Sequence, residues 1–191
     1  MGFIKARNLT LFPVTGDDET GYTAGEPIKM AGMMDIKLTP QTDRANTFAD
    51  DIMYKKTQIF SSCDVEFTME DVLEEVRAKM LGKKVDSIGG VSDNANDIAP
   101  DFALAFKAGR DDGTWKYTVL YKGSFEEFES EHASRADKAE PKNQGVKGTF
   151  VARIFDEEWK YTLDTANPKT LEADVADFFT TVKEPKAPTT P

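Results

Sequence analysis

Histidine and cysteine are almost missing from this chain, which has one of each, His132 and Cys63, in 191 residues. A single thiol makes neither an intramolecular disulfide nor a thiolate metal cluster. Cys63 falls in SCDVEF, where alternation puts it on one strand face with Val65 and Phe67. It therefore reads as a buried structural residue, not a nucleophile. His132 sits in EFESEHASRAD, with no partner at metal-ligand spacing and neither a nucleophile elbow nor a glycine-rich oxyanion loop in the chain. Serine or cysteine triad chemistry is thereby close to excluded.

Phosphate-binding loops are lacking as well. IGGVSDN has neither the lysine of a P-loop nor the third glycine of a dinucleotide turn, and DNAND lacks the central glycine and terminal glutamate of a calcium loop. No apolar run approaches the ~20 residues that cross a bilayer, and mean hydropathy is -0.50. The start MGFIKARNLTLF has no secretory pattern, so the expected site of synthesis is a cytoplasm. Positive charge is scarce: 24 Lys and Arg against 34 Asp and Glu give -10. That balance opposes a tight grip on nucleic acid, and it makes an enclosed surface repel DNA.

What is present is mostly strand. TQIFSSCDVEF alternates through Ile59, Cys63, Val65 and Phe67. DFALAFKAGRDDGTWKYTVLYKGSF reads as a hairpin turning at GRDDG, with Phe102, Leu104 and Phe106 on one arm and Trp115, Tyr117, Val119 and Tyr121 on the other. VKGTFVARIF and EWKYTLDT form a further strand pair. TMEDVLEEVRAKMLG predicts a helix from Thr68 as cap to Gly82, with Val72, Leu73, Val76 and Met80 as an apolar face lying outside the sheet. A short second helix is expected at TLEADVADFFTTV on Leu171, Val175, Phe178 and Val182. The fold class is mainly β, a sandwich or open barrel with one flanking helix at about 69–81 and a short C-terminal helix. One domain, 1–183, carries arms or loops at about 30–58, 83–100 and 130–145. A proline-rich flexible tail follows at 184–191.

Carboxylates are the chemical candidates that remain. TFADDIMY places Asp50 beside Asp51, and GRDDG, FEEFE and DEEW carry further pairs. Adjacent residues on extended chain point to opposite faces, so Asp50 and Asp51 would not face one ligand together. DDG is a turn, and Glu127 with Glu129 reads as a solvated strand face. No catalytic, cofactor-binding or metal-binding residue is expected, and no cofactor. An acid-pair hydrolase at Asp50 and Asp51 is the least favoured reading. A carbohydrate- or ligand-binding β-sandwich using Trp115, Tyr117 and Tyr121 stands ahead of it.

One succession of segments spans nearly the whole chain: NLTLFPVTGDDETGYTAGEPIKMAGM, FADDIMY, MEDVLEEVRAKMLG, APDFALAFKAGRDDGTWKYTVLYKGSF and GTFVARIFDEEWKYTLDT. It resembles the major tail proteins, the tail-tube subunits, of long flexible-tailed (siphovirus-type) bacteriophages. The resemblance implies a β-sandwich or open barrel flanked by a helix, self-assembling into stacked rings, typically hexameric, around a tape-measure protein. A long arm and a terminal extension would bridge subunits, and double-stranded DNA would later pass through without sticking. Further implied partners are tail terminator and tail-tip proteins, with no membrane; the location is the virion tail tube, after assembly in the host cytoplasm. No enzymatic activity is expected. Phe48, Asp50, Asp51, Ile52 and Tyr54 are the candidate lumen-facing or inter-subunit residues, with the three apolar ones as anchors.

Overall fold

A computed structural model describes residues 3–49, 52–128, 143–170 and 172–186; the side chains of 3–4, 44–49 and 52–57 are outside the description. His132 and the bulk of 130–145 lie outside it too, as do Asp50 and Asp51. The described chain is mainly β, with a nine-stranded antiparallel sheet. The strands are β1 (Phe3–Asp18), β2 (Gly21–Ala24), β3 (Ile28–Met30), β4 (Met33–Ala49) and β5 (Ile52–Met69). Next come helix α1 (Glu74–Leu81), the two-residue strands β6 (Lys84–Val85) and β7 (Val91–Ser92), and the long pair β8 (Phe102–Arg110) and β9 (Trp115–Phe125). β10 (Gln144–Val151), β11 (Lys160–Asp164) and the single turn α2 (Glu172–Val175) complete it. Spatial order is β2-β1-β8-β9-β10-β5-β4, with β3 also on β1 and β11 also on β9.

The sheet curls around one inner core. Leu9 and Leu11 of β1, Phe67 of β5, Leu104 and Phe106 of β8 and Phe150 of β10 all belong to it, and β4 returns beside β1. Phe125 sits amid three rings, with centroids 5.9 Å from Phe67, 5.9 Å from Phe102 and 5.8 Å from Phe150. A second apolar layer lies on the outer face of β1, β8 and β9. There Phe12, Ala103, Ala105, Val119 and Tyr121 are covered by Phe178 of the C-terminal segment. β8 is thus buried on both faces from Phe102 to Phe106, which is why FALAF is a continuous apolar run.

Asn8 adopts φ 58 inside β1, and pairing with β8 skips one residue between Arg7 and Thr10. This bulge keeps Ala6, opposite Ala108, on the same face as Leu9 and Leu11. Lys5, opposite Gly109, lies on the outer face, with its ammonium 5.0 Å above the Trp115 ring.

Four expectations are corrected. The first helix begins at Glu74, with Leu73 as N-cap and no side-chain cap bond, because β5 continues through Thr68 to Met69. Val65, Phe67 and Met69 keep alternating into the core, so the strand period prevails over the capping signal. The helix also does not lie outside the sheet: its Met80 joins the inner cluster, and α1 packs at the end of the sheet where β5 and β9 finish. The strands at 144–151 and 160–164 do not pair with each other; each pairs with β9, one above the other. The C-terminal helix is shorter than its stripe suggested, although Phe178 is buried as expected.

Candidate functional site: the β4–β5 arm and the C-terminal clasp

β5 has two partners over only part of its length. From Cys63 to Met69 it pairs with β10, and along all of β5 it pairs with β4. Beyond Pro40 and Cys63 the two strands have only each other among the described residues, from Gln41–Ser62 to Ala49–Ile52. This arm spans about 30 Å at the usual strand rise. A two-stranded hairpin with nothing on its faces is marginal in water. Among the described residues β4 pairs on one side alone, and Pro40, which offers no N–H, stands where edge strands tolerate it.

The root of the arm is fastened. Phe60 stacks flat on Trp159, with centroids 4.3 Å apart and an interplanar angle of 11°, and the Lys160 ammonium sits 4.5 Å above the same ring. Gln41 donates to Asp64 at 3.0 Å and Gln58 to Thr42 at 2.9 Å. Ile59, expected to share the Cys63 face, is instead 61% exposed, because Ser61 is bulged out of the pairing between them. Of the candidate residues, Phe48 pairs with Met53, Ile52 pairs with Ala49, and Tyr54 is the extra residue of a second bulge. Asp50 and Asp51 lie outside the described residues. Pairing up to Ala49 and Ile52 leaves these two as the only residues between the strands in sequence.

The aromatic face that a carbohydrate-binding reading needs is covered. Tyr121 is buried and donates its hydroxyl to the Lys183 carbonyl at 2.9 Å; Tyr22 donates to the Tyr121 carbonyl at 2.6 Å. Burial pushes both hydroxyls far above their usual pKa. Tyr117 packs on Phe178 at 5.2 Å and Phe179 at 5.9 Å. Trp115 lies beneath the ammonium groups of Lys5 and of Lys107, the latter 4.6 Å from its ring.

Arg153, only 2% exposed, fixes this region. It donates to both oxygens of Asp156 at 2.6 Å and to Glu184 at 2.9 Å, and its guanidinium carbon lies 4.9 Å from the Tyr22 ring. The bond from Arg153 holds the Asp156 carboxyl below its ordinary range. Asp17, nearby, is pushed up by burial, but bonds from Lys122 and from the amides of Ile154 and Phe155 outweigh that and lower it. The C-terminal segment is therefore clasped to the outer sheet face up to Glu184, the first residue of the stretch expected as a flexible tail. Little in the sequence warns of Arg153: an arginine between VA and IF only hints at a buried charge.

At the α1 end, Lys83 bridges Asp93 at 2.8 Å and Glu127 at 2.6 Å, while Arg77 reaches Glu74 and Glu127 at 2.9 Å each. Glu127 serves this cluster and not a strand face. Among the described residues, no three His, Cys, Asp or Glu side chains converge as a metal-binding group. The chain matches no described protein family, and no curated protein is similar enough to count as a relative.

Proposed function

We propose that the protein is a structural subunit that polymerises into a tube of stacked rings, of the kind that forms the tail tube of long flexible-tailed bacteriophages. The observation that carries this reading is the β4–β5 arm. It reaches beyond the sheet, has only itself as partner among the described residues, and leaves β4 with a free edge. A monomer gains nothing from such an edge, which is a template for another chain. In a tube, a neighbour would cover it.

The ordered set of segments that resembles tail-tube subunits supports the same reading, as does the charge of -10. An acidic inner wall lets DNA slide past, because phosphates are repelled and no counterions are released by binding. Phe48, Ile52 and Tyr54 would anchor the arm in the neighbour, and Asp50 and Asp51 would lie at the lumen or the subunit junction. The tape-measure protein would fill the tube during assembly, with terminator and tip proteins closing its ends in the virion.

The test is direct. Purified protein, concentrated and followed by light scattering and negative-stain micrographs, should form rings or tubes with a hollow centre. A protein that stays monomeric at high concentration and with a tape-measure partner would overturn the reading. The double substitution Asp50→Asn/Asp51→Asn should alter assembly or genome ejection and leave no hydrolytic turnover to abolish.

A further inference from the structure

We infer that successive copies meet head to tail, the Ile88 turn of one seating in a cleft beside Lys116 and Lys160 of the next. The inference rests on the self-assembling reading above and names the surfaces that stacking would use.

The cleft lies between β1 and β4, lined by the first residues of β9, Lys116 and Thr118, and by Met34, Asp35, Ile36 and Leu38 of β4, with a volume of about 410 Å³. Ile36, Leu38 and Phe106 give it an apolar floor, and Thr118 and Thr162 stand on its wall. Lys160 pairs with Leu120, an inner-core residue, and Lys116 pairs with Ala108, which packs on that core. Both lysines therefore rise from the inner face at the rim. Near the cleft, β1 pairs only with β8 and β4 only with β5 among the described residues, so neither wall is closed by a further strand.

The complementary knob lies beside α1, near the far end of β9 from Lys116. β6 and β7 are joined by a turn that presents Ile88 at 90% exposure, the highest among the large exposed hydrophobic side chains. The turn is held firmly. Asp86 Oδ1 accepts from the amides of Ile88 at 2.9 Å and Gly90 at 2.6 Å, the Asp86 amide donates to the Gly90 carbonyl at 2.8 Å, and Gly89 supplies φ 87. A preorganised apolar side chain loses little freedom on docking, which is what an interface anchor needs.

Charge follows the same polarity. Residues 70–101, which carry α1 and the Ile88 turn, hold eight acids and four bases. The charged side chains that rise from the inner face at the cleft are Lys116 and Lys160, against one acid, Asp35, among its lining residues. Two copies meeting through the same surface would place like charges together, whereas opposite ends attract. Lys116 and Phe125 mark the two ends of β9, about 30 Å apart at the usual rise. A contact between unlike surfaces is heterologous, and it repeats into an open stack when its rotation does not close into a ring.

The experiment mixes two full-length variants of different mass, Ile88→Cys and Thr162→Cys, with a short bis-maleimide; native Cys63 is buried. A cross-link between the two variants is expected, with no link between two Ile88→Cys copies. Adding Lys116→Glu/Lys160→Glu to the Thr162→Cys partner should cut the linked fraction about tenfold, and 1 M salt should weaken it similarly. Tubes in the micrographs without the cross-link would overturn this contact and leave the tube reading standing. The cross-link without rings or tubes would retain the contact and overturn the tube. Neither product would overturn both, and links mainly between Ile88→Cys copies would overturn the head-to-tail arrangement.

Discussion

The guanidinium carbon of Arg153 lies 4.0 Å above the centre of the Tyr121 ring. One face of a buried cation is thereby satisfied by an aromatic face, while Asp156 and Glu184 take its N–H groups. Arg153→Ala should destabilise the fold by about 2 kcal/mol, below the usual loss for a fully buried pair because its carboxylate partners are partly exposed. For a chain of this length that is a fall of about 4–8 °C in Tm. Arg153→Lys keeps the charge and loses the two-pronged bond, so its midpoint should fall between those of Arg153→Ala and the unchanged protein.

Acid should weaken the fold at a defined point. Asp17, Asp93, Asp156 and Asp164 all have carboxyls held below the ordinary carboxylate range: Asp93 by Lys83, Asp156 by Arg153 and Asp164 by Arg110, and Asp17 by bonds that outweigh its burial. Groups depressed in the folded state contribute stability that is fully present above the unfolded value and lost as pH falls through the folded one. Denaturant midpoints should therefore not respond to these groups between pH 7 and 5, and should drop as pH passes below about 4. Asp17→Asn should lower stability at pH 7 and flatten the acid slope. An unchanged slope would show that Asp17 is not held in this way.

Gly82 ends α1 at φ 68, and the amide of Lys83 donates to the Ala78 carbonyl at 2.8 Å. A Cβ there would press on the carbonyl oxygen of Ile98, so Gly82→Ala meets both backbone strain and a clash. It should cost about 2 kcal/mol by chemical denaturation. Gly21→Ala, where a Cβ meets open space, is the control and should stay within about 0.5 kcal/mol.

The arm should be dispensable for folding. Replacing residues 45–57 by Asn-Gly, which keeps Arg44 opposite Gln58, should leave the monomer's stability within about 1 kcal/mol, since the replaced residues pair only with each other among the described ones. Assembly seen by light scattering should be lost. A large drop in the monomer's Tm would mean that the arm packs on its own barrel.

Alternation carried much of this fold into view. The β8–β9 hairpin turns at Asp111–Asp112, within GRDDG, and Phe102, Leu104 and Phe106 face one core while Val119 and Tyr121 face the other. The lengths of β4 and β5 were not visible, because their arm is polar on most positions and takes its order from backbone pairing. α1 was misplaced because 65–73 satisfies two periods at once, and only contact with β10 and β4 decides between them. The cleft beside Lys116 and Lys160 draws on five strands distant in sequence, so no local pattern announces it.

Asn8 is one residue more than its neighbour strand needs. Deleting it would leave Ala6 inward and Lys5 and Arg7 outward, since the bulge only absorbs an extra position. Forcing it straight, as a β-branched Asn8→Val would favour, shifts the count by one and turns Lys5 and Arg7 toward the interior of the barrel. For this strand, removing a residue is gentler than replacing it, and the chain can shorten here without rewriting which side of the wall each neighbour belongs to.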